Sequence, residues 1–279
     1  MTVPVNRGIF RTYDIRGIAD RDLPDEVVRP LARAVARALG GRGRVAVGGD
    51  VRISTPRIHK AFLEGLLEAG MDALDVGIGS TPMVYFAAHR WAKDLAGAVA
   101  VTASHNPPEY NGFKMLKGTS ALFGDEIQAL ADDMENEASP SPAGRRGHVE
   151  AREIRAAYIE DLVGRIRLDR RIKVVVDAGN GAAGLVAPEV YRRLGCEVIE
   201  LYCTPDGTFP NHEADPTVPE ALEDLRDEVV RRGADLGIAF DGDGDRIGVV
   251  DETGRIAWGD QLMAISFREV LAAHPGAPC

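Results

Sequence analysis

Cysteine is scarce in this chain, and its spacing carries no pattern. Cys196, Cys203 and Cys279 show neither a CxxC pair nor the density of a disulfide framework. That excludes a small stapled secreted domain and fits a reducing, cytoplasmic compartment. Long apolar runs are missing as well. No stretch approaches the ~20 residues that cross a bilayer as a helix, and Met1-Thr2-Val3-Pro4-Val5-Asn6-Arg7 contains no apolar signal-peptide core. Positive charge is also in deficit, with a formal net charge of −10. That balance argues against nucleic acid and against an anionic membrane as partners. It leaves room for a phosphorylated small molecule held by a few local cations. Lysine is the rarer cation, five among 33 basic residues, so a lysine in a functional loop stands out.

The apolar content is enough for two domain-sized cores, 45% of 279 residues. Pro24 opens a helix with Val27, Leu31, Val35 and Leu39 on one face, and Gly40-Gly41 ends it. A strand over 44–47 follows. Ser54 is expected to N-cap the next helix, which buries Ile58, Phe62 and Leu66. Gly70 stops that helix before a strand over 72–76, Thr81-Pro82 starts another helix, and a strand over 95–101 comes next. Ser139-Pro140-Ser141-Pro142-Ala143-Gly144-Arg145-Arg146-Gly147 reads as a linker. Beyond it the spacing predicts a helix over 154–166, a strand over 172–177, a glycine loop with a helix to Leu194, a strand over 196–201, a helix over 219–232 and a strand over 236–240.

The fold class expected is α/β, with two consecutive α/β domains of similar topology, each a mixed, largely parallel sheet between helices. Their bounds are placed at 1–147 and 148–252. Residues 253–279, with a short strand and an apolar helix capped by Asp260, are too few for their own core. They read as the start of a truncated third domain. From about Ile256 onward this segment is expected to be poorly anchored, with Leu262, Ile265, Val270 and Leu271 as a stripe open to self-association.

Two loops carry the chemistry. Thr102-Ala103-Ser104-His105-Asn106-Pro107 follows an apolar strand, at the carboxyl end where open α/β sheets place ligands. Ser104 offers a hydroxyl, and His105 and Asn106 can orient a hydroxyl or a phosphate. No Asp/His/Ser order suggests an acyl-transfer triad, so a phosphoryl carrier is preferred over a hydrolase nucleophile. Asp241-Gly242-Asp243-Gly244-Asp245-Arg246 places three carboxylates at alternate positions between apolar strands. Such oxygen ligands select Mg²⁺ or a similar hard cation. The rival is an EF-hand, because Glu252 stands twelfth from Asp241; against it, the sixth position is Arg246 and the flanks read as strands. Arg246 suits a phosphate clamp. Lys114, in Asn111-Gly112-Phe113-Lys114, suits general acid/base work. Gly179-Asn180-Gly181-Ala182-Ala183-Gly184, with Glu200 further on, has the spacing of a dinucleotide fingerprint, although Asp177-Ala178 and Pro188 disturb it.

With Ile9-Phe10-Arg11-Thr12-Tyr13-Asp14-Ile15-Arg16-Gly17 and Gly49-Asp50-Val51-Arg52, these motifs in this order resemble the alpha-D-phosphohexomutases. Pro205-Asp206-Gly207-Thr208-Phe209-Pro210-Asn211-His212 is more similar to their phosphomannomutase/phosphoglucomutase branch. The resemblance implies that Ser104 is phosphorylated and that one Mg²⁺ is held by Asp241, Asp243, Asp245 and the phosphoserine at Ser104. It implies interconversion of hexose 1- and 6-phosphates of mannose or glucose through a hexose 1,6-bisphosphate. Arg16, Arg246, Tyr13 and Asn106 would contact substrate or phosphate, and Lys114 with His105 would serve proton transfer and positioning. The sugar- and phosphate-gripping loops of the family's third and fourth domains do not occur here. The chain is therefore expected to be an N-terminal fragment with little mutase activity alone. The alternatives are a stand-alone Mg²⁺-dependent phosphotransfer or phosphatase domain and a non-catalytic dinucleotide-binding module.

Overall fold

A computed structural model of the protein describes residues 5–136 and 144–276. In chain order the first part holds β1 (Ile15–Ile18), α1 (Ala19–Asp22), α2 (Asp25–Ala38), β2 (Arg44–Gly49), α3 (Thr55–Glu68), β3 (Asp72–Ile78), α4 (Thr81–Arg90), β4 (Leu95–Val101), β5 (Tyr110–Lys117), β6 (Ser120–Ala121), α5 (Asp125–Asn136) and β7 (Val149–Ala151). The second part holds α6 (Arg155–Arg165), β8 (Lys173–Asp177), α7 (Ala187–Arg193), β9 (Glu197–Leu201), α8 (Glu223–Arg232), β10 (Leu236–Phe240), β11 (Ile247–Asp251), β12 (Ile256–Ala257) and α9 (Gly259–Ala273).

The first sheet runs β1-β5-β4-β2-β3-β7, with β6 added to β5, and the second runs β12-β11-β10-β8-β9. Their centres have the same order. β2 lies between parallel β3 and β4, with β5 antiparallel to β4; β8 lies between parallel β9 and β10, with β11 antiparallel to β10. The two units therefore repeat one topology without a visible residue-level repeat. In each, the functional loop joins the last parallel strand to its antiparallel neighbour: β4 to β5 around Ser104, and β10 to β11 around Asp243.

Alternation along the strands builds the layers. Val45, Val47, Val99 and Val101 pack with Leu31, Val35, Ile58 and Phe62 on one face of the first sheet. Ala46, Ala98 and Ala100 face Met83, Val84 and Ala87 of α4 on the other. In the second sheet Val175 packs with Leu222, Leu225 and Val229, and Val174 and Val176 pack with Ala183 and Ala187.

Several expectations need correction. Val149–Ala151 pairs with β3, so the division expected at 147/148 falls inside the first unit. Residues 139–143 of the linker lie outside the described residues. Ser54 occupies the N-cap position of α3 but makes no capping bond; its hydroxyl accepts from Asn111 Nδ2 at 2.9 Å instead. The helix predicted up to Leu194 is split, with a 3₁₀ turn over Ala182–Leu185 before α7 and Pro188 in the first turn of α7. The helix over 219–232 likewise opens as a 3₁₀ turn at Pro219–Leu222. Asp260 does not cap α9: the N-cap is Trp258, whose backbone N–H donates to Gln261.

The last segment divides at this cap. Ile256 and Ala257 pair with β11, and Ile256 packs on the second core, contrary to the expectation that the loose part begins there. α9 itself buries no residue, and Met263, Ile265, Val270 and Leu271 stand exposed. Deleting residues 259–279 should therefore change the unfolding free energy by under about 0.5 kcal/mol, measured by urea denaturation. Deletion from residue 256 should cost distinctly more, and equal effects would contradict the assignment of Ile256 to the core.

Candidate active site

Ser104 is buried and has φ 55°, a left-handed conformation that a non-glycine residue adopts only when its surroundings enforce it. Its N–H donates to Thr102 Oγ1 at 2.9 Å, and the Thr102 hydroxyl donates to Asp50 Oδ2 at 2.7 Å. Arg52 lies below the loop, fully buried. It donates to the carbonyls of Ser104 (2.7 Å), Asn106 (2.6 Å), Pro107 (2.6 Å) and Tyr110 (3.1 Å), and its Nε donates to Asp50 Oδ2 at 3.1 Å. The Phe209 ring of the second unit covers the guanidinium at 5.0 Å.

The two functional loops meet at Ser104, whose hydroxyl donates to Asp241 Oδ2 at 2.7 Å. Asp241 Oδ1 accepts the N–H groups of Asp245 (3.0 Å) and Arg246 (2.9 Å), which folds the acidic loop around it. Asp243 Oδ2 accepts from Thr81 Oγ1 at 2.5 Å and from Lys114 Nζ at 2.7 Å. Its Oδ1 is buried and has no hydrogen-bond partner. Lys114 also donates to Asp245 Oδ2.

Arg16 NH1 donates to Ala103 O at 3.2 Å and to Asn106 Oδ1 at 2.5 Å, and Asp14 pairs with the Arg16 guanidinium at 2.7 Å. His105 Nδ1 lies 3.4 Å from Ser104 Oγ, and its Nε2 lies 3.8 Å from Asp215 Oδ2. Arg246 NH1 is 3.6 Å from the same Asp215 oxygen. Nine of the ten residues singled out in the sequence thus fall in one contact network. Tyr13 is 75% exposed, and its hydroxyl makes no hydrogen bond among the described residues.

The electrostatics are those of carboxylates short of cations. Burial, with Asp243 and Asp245 nearby, pushes the Asp241 carboxyl up to about 8. Burial and Asp243 raise Asp245 as well. Burial works to raise Asp243 too, but the Lys114 ammonium and the Thr81 hydroxyl hold it below the ordinary carboxylate range. Lys114 is raised because two carboxylates outweigh its desolvation. Burial, then Arg246, lowers the His105 imidazole, which favours its neutral form. The residues fit a hard cation. One oxygen from each Asp lies within 4.8 Å of the others, one buried Asp243 oxygen lacks a partner, and the Lys114 ammonium engages the other Asp243 oxygen and Asp245 Oδ2.

The rival readings lose their geometry. The acidic loop joins two antiparallel strands, and Glu252 lies past the far end of β11, so the EF-hand arrangement is not formed. The Gly179–Gly184 loop is filled by protein: a Cβ on Gly181 would stand 2.7 Å from Gly242 O, one on Gly184 2.1 Å from Cys203 O, and Ala182 N donates to Gly242 O at 2.9 Å. The space a pyrophosphate needs is taken by the acidic loop. Arg52, Asp50, Thr81 and Asp215 were missed as supporting residues. Asp50 and Arg52 had a sequence signal in their motif, whereas Asp215 had none.

The phosphoglucomutase/phosphomannomutase alpha/beta/alpha domain I family matches residues 7–141, and the corresponding domain II family matches residues 156–254. Fold and site together define a two-unit α/β protein with a serine–carboxylate centre, and the chain belongs to the phosphoglucomutase/phosphomannomutase family. It is 46% identical over 273 residues to a phosphomannomutase/phosphoglucomutase of Pseudomonas putida, and 42% identical over 276 residues to a phosphoglucomutase of Neisseria gonorrhoeae. These alignments cover 96% and 98% of this chain but only 58% and 59% of those relatives. A phosphoglucomutase/phosphomannomutase family protein of Burkholderia thailandensis superposes with a TM-score of 0.91 at 41% identity, over 98% of this chain and 61% of that one.

The segment 212–215 that delivers Asp215 is pinned by an ion pair. His212 Nε2 lies 3.0 Å from buried Asp177 Oδ2, and its Nδ1 faces Glu213 O at 2.8 Å. Despite burial, which works the other way, the Asp177 carboxylate raises the His212 imidazole above 6.5. Its stabilising contribution is therefore complete below pH 6.5 and lost as pH rises through the folded-state value. Melting temperatures of the protein and of His212→Gln should converge between pH 6 and 9, whereas a constant gap would contradict the pairing.

Proposed function

We propose that this chain carries the phosphoserine and metal-binding parts of a phosphohexomutase site, which interconverts the 1- and 6-phosphates of mannose or glucose. The observation that carries this reading is Ser104 Oγ at 2.7 Å from Asp241, beside the unpartnered Asp243 oxygen. The names of the similar proteins, phosphomannomutase/phosphoglucomutase and phosphoglucomutase, support the substrate class.

In this reading Asp241, Asp243, Asp245 and an oxygen of phosphorylated Ser104 hold Mg²⁺. The ion supplies charge neutralisation at the phosphoryl oxygens. The phosphoryl group passes from Ser104 Oγ to a hydroxyl of the bound hexose monophosphate, and the hydroxyl proton leaves to a neighbouring base. The resulting hexose 1,6-bisphosphate reorients and returns its other phosphoryl group to Ser104. Neutral His105, beside Ser104 Oγ, suits the acceptance of a proton. Lys114 suits donation, since its ammonium is held charged by Asp243 and Asp245. Lys114, whose ammonium bridges Asp243 Oδ2 and Asp245 Oδ2, would give up its proton more readily with the charge of those carboxylates offset. Arg16 and Asn106 shape the loop, Arg246 offers a fork to phosphate, and Tyr13, which is exposed, would contact the substrate. The phosphoserine unit runs through β7, and the metal unit follows it. The remaining parts of the reading are a cytoplasmic location, supported by free Cys196 and Cys203, and self-association through exposed α9.

Incubation with glucose 1,6-bisphosphate and Mg²⁺ should add one phosphoryl group, mapped by peptide mass spectrometry to Ser104. Ser104→Ala should take up none. Phosphate on another residue, or steady release of inorganic phosphate without any Ser104 label, would favour the phosphatase reading and sink this one.

A further inference from the structure

Thr81 touches the acidic loop twice from the other unit. It is the first residue of α4, and Ser80 before it does the helix capping, accepting from Met83 N at 3.4 Å. The Thr81 hydroxyl is therefore free of any duty to its own helix. It donates to Asp243 Oδ2 at 2.5 Å, and Thr81 N donates to the Asp243 carbonyl at 2.9 Å. One residue thus grips the main chain and side chain of an aspartate 162 positions away. The approach is close all round. Gly244 has φ +72°, and a Cβ there would stand 3.3 Å from Ser80 Cβ and from Ala183 Cβ.

We infer that Thr81 is a positioning residue that selects the oxygen of Asp243 presented to the cation, an inference that rests on the metal reading above. The torsion that turns an Asp carboxylate is soft and nearly two-fold, so its two oxygens exchange readily unless neighbours tell them apart. Here they are told apart. Oδ2 has two donors, Thr81 Oγ1 and Lys114 Nζ, while Oδ1 is buried with none. A buried carboxylate oxygen without a donor is costly, and a cation at the acidic loop would satisfy it. Lys114 alone does not fix the choice, because its ammonium is shared with Asp245 and swings on a flexible stem. The Thr81 hydroxyl, on the rigid first turn of α4, does.

A consequence follows for the whole molecule. Because the orienting group belongs to the first unit and the ligand to the second, cation binding and the docking of the units strengthen each other by the same factor.

Calorimetric titration of the full chain with Mg²⁺ tests this with Thr81→Val, which keeps the shape and removes the hydroxyl, and Thr81→Ser, which keeps the hydroxyl. Outer-shell partners of metal ligands typically contribute 10–100-fold in affinity. Thr81→Val should bind Mg²⁺ weaker by about that factor, and Thr81→Ser should stay within about threefold of the parent. Metal-free melting temperatures of all three should agree within a few degrees. Unchanged Mg²⁺ affinity in Thr81→Val would overturn the inference. So would equal weakening in both variants, or a drop in metal-free melting temperature with affinity intact, since each points to packing. A parent chain that binds no Mg²⁺ would instead remove the metal reading beneath it. If Thr81→Val does not fold, Thr81→Ala against Thr81→Ser carries the comparison.

Discussion

Arg52 lies wholly inside the protein, its charge met by Asp50 and by four carbonyl oxygens of the loop that carries Ser104. A guanidinium offers five donors in a fixed fork, and here that fork sets the positions of the loop carbonyls. Removing one partner of a buried pair typically costs about 3–5 kcal/mol, which gives the scale of the constraint. It is large enough to hold Ser104 in a left-handed conformation, which costs of order 1–3 kcal/mol. Asp50 extends the constraint by accepting from Thr55 and Thr102, so the last turn of β4 is fixed by a connected set of buried hydrogen bonds. Phe209, stacked on the guanidinium from the second unit, brings the other half of the site under the same control.

The second half is organised by repulsion. Three carboxylates converge at the end of β10, and two of them, Asp241 and Asp245, are driven toward protonation by burial and by the charge of Asp243. The loop keeps its shape because backbone N–H groups, the Ser104 hydroxyl and the Lys114 ammonium absorb part of the charge. The same topology, used twice, brings these halves together. Each unit ends its parallel run with a strand whose carboxyl end opens into a loop, and those two loops meet.

Much of this was legible in the sequence because it depends on local pattern. β4 was read to the residue, and the buried faces of α2 and α3 follow from apolar spacing. Ser104, His105, Asn106 and the three aspartates were readable because they sit in two loops that follow apolar strands, and Lys114, on β5 between the core residues Phe113 and Met115, because lysine is scarce in this chain. What was missed depends on tertiary contacts. Arg52 is visible in the sequence only as part of the Gly49-Asp50-Val51-Arg52 motif, and its supporting role depends on carbonyl partners from residues 104–110. Thr81 reads as a helix start, since its second contact lies in another unit. Ser54 lost its capping bond to Asn111, a competitor 57 positions on. β7 is three residues long, too short for a pattern, and owes its place to pairing with β3.

The central claim is that a phosphate on Ser104 and a cation on the three aspartates occupy one site built from both units. Phosphorus NMR of the Ser104-phosphorylated protein with Mn²⁺ tests it directly, because the paramagnetic ion broadens a phosphorus nucleus only at close range. Stoichiometric Mn²⁺ should abolish the phosphoserine resonance, and excess Mg²⁺ should restore it. A phosphoserine line that stays sharp while Mn²⁺ is bound would place the cation elsewhere and contradict the account.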